Sequence, residues 1–518
     1  MGGEFRKLAQ GSVQGFLRVP GNHSDTSLTI DANRHDGDDN KPRFRLSKRN
    51  YFGLLNYCPL PYSCRSWEKP RWPGTRRSYL CRPLSVANKG TMKTDFDPRP
   101  HYSAWSLVRA RMARDKFWRP LWAGRTLAPA YDVVVVGAGG HGLATAYHLA
   151  RDHGIKRIAV LEKRLVGYGN VGRNTTIVRA NYLLPENHYF FNDSLRRWKS
   201  LSRDLNYNVM YSPRGTVDLV TSDGEMQGLA RRGNAMRLAG IDAELLDAEG
   251  VCRFAPELRT REPRRFPIMG GLLHRRGGTV RHDAVAWGYA RAAASLGVDI
   301  IEECEVTGVR AAGGSAVGVE TSRGYVKAER ILFAVGGHTG VIGTMLGMSL
   351  PVETHLLQAM VTEPIKPLVS TVLIQGFPHG EVYVTQSDRG GIVMGGFPDG
   401  FPSYTREGQW YRLEDVVQSA VALLPQIGAL RILRHWAGTI DVTMDGSFII
   451  DRIKYDNVFI NGGWAYGGFK AIPASGAACA TLVASGTAPD LIRAHTLSRF
   501  ASGHLLDERG AGPFPARL

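Results

Sequence analysis

From Tyr131 onward the apolar residues fall into short unbroken runs separated by helical stretches, a pattern that fits a parallel sheet buried on both faces. Residues 131–136 read as one such strand, 143–152 as a helix and 157–162 as a second strand. Strand, helix and strand in that order make a βαβ unit. Between about 207 and 280 the pattern changes to short alternating strands, such as 215–221, around one amphipathic helix. A helix over 284–296, a strand over 299–303 and the buried run 331–335 return to the first pattern. A second β-rich stretch covers 351–440, followed by a strand at 458–461 and a small-residue helix at 475–484. This order predicts an α/β chain of two domains. The first, built from 131–206, 281–350 and 441–518, is interrupted twice by a β-rich second domain at 207–280 and 351–440.

The first 130 residues lack that order. Residues 1–91 mix basic clusters (Lys48-Arg49, Arg76-Arg77), an acidic one (Asp36, Asp38, Asp39) and proline-rich turns. With no sustained periodicity they are expected to be a disordered or non-native extension, Met92 being an alternative start. An arm is expected over 92–130, with helical character at 103–122; its tryptophans and Phe117 call for burial, on the chain's own body or on a partner. The formal charge is +18, but half of it sits in residues 1–91, which carry 16 Lys/Arg against 7 Asp/Glu. The rest is spread without an aromatic-interleaved basic stripe, so nucleic-acid binding is not expected. No apolar run approaches the roughly 18 residues that span a bilayer, so no membrane association is expected either. The six cysteines form no CxxC or CxxH pair. No metal site or disulfide framework is therefore expected, and a cytoplasmic location fits.

Candidate chemistry begins directly after the first strand, with Gly137-Ala-Gly139-Gly140-His141-Gly142. Gly137 permits a tight turn, Gly139 lets backbone approach a pyrophosphate, and Gly142 lets helix and strand pack closely. The phosphate then faces the unpaired N–H groups and positive dipole of a helix N-terminus. The second strand ends at Glu162, placed to accept hydrogen bonds from a ribose. A second glycine cluster, Gly462-Gly463-Trp464-Ala465-Tyr466-Gly467-Gly468-Phe469-Lys470, precedes the last helix. A nicotinamide dehydrogenase has no need of such a loop. Two-domain FAD-binding folds of the amine and D-amino-acid oxidase type lay it against the isoalloxazine ring. The run 331–335 leading into Gly336-Gly337-His338 resembles a third cofactor-contacting segment of those folds.

Taken with the runs GNVGRNTTIVR (169–179), RHDAVAWGYARAAASLGVDIIEECEVTGV (281–309), WAGTIDVTMDGSFIID (436–451) and GWAYGGFK (463–470), the chain from 131 onward resembles the β subunit of heterotetrameric sarcosine oxidase. The resemblance implies a noncovalent FAD, where the amine is oxidised, and an FMN bonded to a histidine, through which electrons reach oxygen. It places the FAD site at Gly140, His141, Glu162, Asn170, Arg173, Thr175, Ile177, Val306, Gly468 and Lys470. The matching FMN histidine is His282, with His338 and Arg434 near that flavin. Read without the resemblance, His282 is an ordinary polar residue at a helix start beside the cap-competent Asp283. Likewise Val306 alone reads as a strand valine. In related single-subunit sarcosine oxidases a cysteine tethers FAD; that position falls on Gly438 here, consistent with a noncovalent FAD. The partners implied are α, γ and δ subunits and oxygen.

For an amino-acid substrate the candidates are Arg179 and Lys470. A carboxylate desolvated beside a flavin needs a fixed cation, and arginine offers a bidentate fork. Tyr182 is expected to close the pocket. Each cation taken alone also reads as an ordinary salt-bridge partner. The family's usual glycine and threonine are replaced by Ala465 and Tyr466 in the flavin-facing loop, which bears on what enters the pocket. Three functions are therefore carried forward. They are oxidation of sarcosine or a similar small secondary amine, oxidation of another N-methyl or D-amino acid, and noncatalytic electron transfer.

Overall fold

The computed structural model describes residues 104–113, 121–122, 125–259, 264–376 and 380–508. The expected extension at 1–91 lies outside the described residues. So do Phe117 and Trp118 of the arm, whose helix Ala104–Ala113 leaves Trp105 and Met112 exposed. Trp122 packs on the main core and its Nε1 donates to Glu302 at 3.4 Å.

The strand Ala130–Val136 is the centre of an eight-stranded sheet. It pairs in parallel with Gly324–Phe333 on one side and Ile158–Leu161 on the other. Asp299–Ile301 and Val458–Gly462 extend the parallel order outward, and Ile449–Arg452 closes one edge antiparallel. Val133 and Val135 pack into the helical layer, whereas Val134 and Val136 enter a separate cluster on the opposite face. Burial on both faces is why this strand reads as an almost unbroken apolar run.

The helical layer is led by Gly140–Arg151, packed against the helix Gly468–Ser485. The latter begins seven residues earlier than the expected 475, despite Pro473. Pro473 lacks the N–H that would reach the carbonyl of Phe469, and the turn before it is tied to a neighbouring helix through the next carbonyl. Ser194 Oγ and Trp198 Nε1 both donate to the carbonyl of Lys470, at 2.5 and 3.0 Å. That neighbour, Pro185–Asp204, starts with proline at its first position and buries Phe190, Phe191, Leu195, Trp198 and Leu201 along one stripe.

The two β-rich stretches form one second sheet of eight strands. Thr216–Val220 from the first stretch pairs in parallel with Val372–Gln375 from the second, and this pair joins them. The remaining pairings in that sheet are antiparallel, including the long pair Val352–Pro364 and Ile432–Thr443. Among the described residues between 207 and 280 there are two α-helices rather than one, Asp223–Leu238 and Ala248–Phe254. No helix among the described residues is long and apolar enough to cross a membrane.

Candidate functional site

A cleft of about 300 Å3 opens at the C-terminal ends of the first sheet's parallel strands and continues under the second sheet. Its floor is the glycine loop. Gly137 has φ +106°, and a side chain there would press to 2.5 Å from the carbonyl of Ala334. Gly142 does not line the cleft; a Cβ on it would lie 2.0 Å from the carbonyl of Gly137, so its absence lets helix and loop close up. Gly139 faces open space, and no side chain caps the helix that follows. The first-turn N–H groups are thus directed at the cleft without a protein partner from a cap. At the neighbouring strand end Glu162 accepts from the N–H of Ala138 and of Arg164, both at 2.9 Å. Each carboxylate oxygen keeps a lone pair for the cleft. Cradle, open helix end and acid together fit the pyrophosphate and ribose of a dinucleotide.

Further along the cleft, Asn170 ties the second sheet to the segment between the first sheet's strands. Its Nδ2 donates to the carbonyl of Thr439 and its Oδ1 accepts the N–H of Thr439 at 3.1 Å. The carbonyl of Arg173 accepts from Trp436 Nε1 at 2.7 Å. Gly140, His141, Thr175, Ile177, Val306, His338 and Gly468 all line the same cleft. His141 stacks on Trp464 with ring centroids 4.4 Å apart and bonds Ser475 through Nδ1 at 2.6 Å. Burial pushes its pKa down to about 3, so the ring is neutral.

Arg179 and Lys470 meet in this cleft, 8% and 5% exposed. Arg179 is 3.5 Å from Asp218, which also accepts from Asn181 Nδ2 at 2.5 Å. Lys470 has its pKa lowered well below the ordinary lysine value, first by burial and then by Arg179. A small cavity of about 30 Å3 adjoins the cleft, sharing Arg179, Trp464, Ala465, Tyr466 and Lys470 with it. Tyr182 lines that smaller cavity rather than the cleft, stacked on Phe191 at 3.8 Å with the Lys470 ammonium 5.6 Å from its ring.

Three residues of this region escaped the sequence reading. Asp441 is buried in the cleft wall, and its carboxylate accepts the N–H of Gly463 at 2.5 Å and the hydroxyl of Thr339 at 3.2 Å. Its own carbonyl accepts from the N–H of Ala465 at 2.8 Å, so one residue shapes the loop over 462–468. Tyr383 and Glu381 enter from the second sheet. Asp441 lies inside a run already singled out for resemblance; nothing local marks the other two. Ala465 adopts φ +46°, the left-handed conformation that glycine tolerates without cost, at the position where the resemblance anticipates glycine.

His282 and Arg434 do not line the cleft. His282 opens the helix His282–Ser295 half-buried, with its pKa lowered mainly by burial. Beside it Arg281 pairs with Asp283 at 2.8 and 2.9 Å. Arg434 is exposed on the long strand Ile432–Thr443. His338 Nε2 lies 3.1 Å from Lys163 Nζ, inside the cleft wall. No cluster of three or more His, Cys, Asp or Glu side chains suited to a metal occurs among the described residues.

A cradle that fits a dinucleotide, opening onto a buried Arg–Lys pair, suits an oxidoreductase, and the comparisons show the flavin-dependent class. The family profile described as FAD dependent oxidoreductase matches residues 132–482. The chain is 50% identical over 414 residues to "Sarcosine oxidase subunit beta" of Rhizobium meliloti (strain 1021), covering 80% of this chain and 99% of that one. It is 44% identical to the protein of the same name from Rhodobacter capsulatus, over 79% of this chain and 97% of that one. Among solved structures, L-proline dehydrogenase from P. horikoshii superposes with a TM-score of 0.69 at 26% identity, covering 73% of this chain and 100% of that one. Glycine oxidase from Geobacillus kaustophilus shares the fold at TM-score 0.64 and 21% identity, over 72% and 99%. The chain belongs to the FAD-dependent oxidoreductase family, and within it to the sarcosine oxidase β subunits.

Proposed function

We propose that the chain is the catalytic β subunit of a multisubunit sarcosine oxidase. The reaction takes sarcosine, water and oxygen to glycine, a one-carbon unit at the formaldehyde level and hydrogen peroxide. The observation that carries this reading is the pair of buried cations, Arg179 and Lys470, sharing one cleft with the dinucleotide cradle. An amino-acid carboxylate entering there regains from them the solvation it loses. Asp218 holds the Arg179 guanidinium in place, and the walls of Tyr383, Trp464 and Tyr466 suit a short substrate. Bound FAD supplies the two-electron acceptor; the glycine loop, Glu162 and Gly468 hold it noncovalently.

The same reading assigns His282 as the attachment point of FMN, with His338 and Arg434 nearby. A half-buried imidazole with a lowered pKa is neutral near pH 7 and keeps a nucleophilic nitrogen, which supports that assignment. Partner α, γ and δ subunits, a cytoplasmic location and the division into an interrupted cofactor domain and a β-rich substrate domain complete the proposal. The test is anaerobic addition of sarcosine, other N-methyl amino acids and D-amino acids to the complex co-purified with its partners, followed by flavin absorbance. Preferential bleaching by sarcosine supports the reading. Bleaching by a D-amino acid alone moves it to a different oxidase, and bleaching by none of them leaves an electron-transfer subunit.

A further inference from the structure

Glu381 stands at the head of the strand Val382–Gln386, in the wall of the cleft that holds Arg179 and Lys470. It is 6% exposed, and its Oε2 has no hydrogen-bond partner among the described residues. Its backbone is fixed closely. Val382 pairs with Gly396, and a Cβ on Gly396 would lie 1.9 Å from the carbonyl of Glu381, so that strand presses directly on it. A buried acid with an unpaired oxygen is costly unless something meets it, and Glu381 is among the residues that line the cleft a substrate would enter.

The charged and titratable groups around it come from five segments. Arg179 follows the short strand Ile177–Val178, Asp218 sits on Thr216–Val220, and Tyr383 lies two residues along its own strand. Tyr466 is in the flavin-facing loop and Lys470 in the last helix. Arg179 already has Asp218, and no carboxylate lies within ion-pair distance of Lys470 among the described residues. An amino acid in its zwitterionic form fits this arrangement in one sense only: carboxylate toward Arg179 and Lys470, ammonium toward the remaining acid.

Resting on the reading of the site as an amine oxidase, we propose that Glu381 is the base that takes the proton from the substrate ammonium before the adjacent carbon is oxidised. The N–H bond breaks, an O–H bond forms on the Glu381 carboxylate, and the electron pair stays on nitrogen. That pair is what the following loss of hydride to FAD, the oxidant, requires in order to form the C=N bond. The acidity of Glu381 suits the task. Burial is the main cause pushing its pKa up to about 7, against the opposing pull of Arg179 and Lys470. Glu381 is therefore ionised, and able to accept the proton, above about pH 7.

The experiment is anaerobic stopped-flow reduction of the FAD-loaded complex by sarcosine across pH 6–10, for the native protein, Glu381→Gln and Glu381→Asp. Flavin content and melting temperature are recorded for each. At low substrate the native rate should fall as pH drops through about 7. Glu381→Gln should lose that limb and react only with the neutral amine, a fraction of order 10⁻³ at neutral pH for an amine with a lysine-like pKa of about 10.4. Its deficit should exceed roughly 100-fold at pH 7.5 and shrink below tenfold near pH 10. A deficit that is the same at every pH, or none, overturns the assignment. Should the glutamine variant fail to fold, Glu381→Asp decides: its acid limb moves if this carboxyl takes the proton and stays where it was if another group does. If sarcosine does not reduce the native flavin but another amine does, the substrate reading fails while the same pH comparison, run with that amine, still decides on Glu381. If no amine reduces it, both fall.

Discussion

Arg179 has two duties in the structure, and one pair of substitutions separates them. It balances Asp218 at 3.5 Å in a setting where both side chains are close to nine-tenths buried. It also faces the cleft beside Lys470. Removing one member of a buried ion pair costs about 3–5 kcal/mol, chiefly through the charge left behind. The lower figure applies here, because the contact is long and Asp218 keeps the Asn181 amide at 2.5 Å and the field of Arg232. Arg179→Ala should therefore destabilise by about 3 kcal/mol, a fall of several degrees in melting temperature. Adding Asp218→Asn removes the orphaned charge and should restore most of that loss. Flavin reduction should behave differently. A charge-assisted hydrogen bond to the substrate carboxylate is worth about 1.5–3 kcal/mol, or roughly 10- to 100-fold in the rate at low substrate. Asp218→Asn supplies no replacement for it, so the double variant should be stable and still slow. Anaerobic stopped-flow reduction and thermal melts on the single and double variants make the comparison. A double variant whose reduction rate returns to within about threefold of native would refute the reasoning, because it would reduce Arg179 to a structural counter-ion for Asp218.

Three further outcomes follow from named contacts. Glu162→Arg should abolish FAD retention, since it removes both the proposed ribose acceptor and the bond that holds the Ala138 N–H; near-stoichiometric flavin in the purified variant would count against this placement. Ala465→Gly should stabilise by roughly 0.5–1 kcal/mol, because it relieves a left-handed alanine at φ +46°; a lower melting temperature would show that the loop gains more from the methyl group than it loses to strain. In the assembled complex, His282→Ala should retain FAD and its reduction by substrate yet lose turnover with oxygen, and peptide mapping of the native protein should find an FMN-sized mass on the fragment containing 281–283. Full oxidase activity with no covalent flavin would remove the assignment.

The parts of this molecule that were legible in its sequence are those whose physics is local. Gly137, Gly139 and Gly142 are read from spacing because each answers to a constraint set within a few residues: a turn, an open approach and a close packing contact. Glu162 is legible because the length of a βαβ unit fixes where its second strand ends. The apolar run at 133–136 is legible because both faces are covered by the same fold. Where packing decides, the reading slips. The helix Gly468–Ser485 runs through Pro473, and the turn before that proline is packed against Ser194 and Trp198, nearly 300 residues earlier, which bond the carbonyl of Lys470. The polar composition of Pro185–Asp204 hides a buried aromatic stripe that only a partner helix reveals.

The chemistry of the site shows the same division more sharply. Arg179, Asp218, Glu381 and Lys470 come from four segments spread over almost 300 residues, and each one, taken alone, has the character of a surface salt-bridge residue. What makes them a site is common burial, which raises the cost of every unpaired charge and leaves two of the four, Glu381 and Lys470, with pKa values moved toward their neutral forms. That burial is produced where the two separate β-rich stretches join through the parallel pair Thr216–Val220 and Val372–Gln375, next to the strand that carries Glu381. Topology therefore creates the electrostatics. Arg179 and Lys470 were visible because they sit inside the runs that carry the family resemblance; Glu381 was not, because the strand it heads is buried at all five positions and shows no alternation to set one residue apart. An acid in that position acquires meaning only from the two cations opposite it, and those reach it through the fold rather than along the chain.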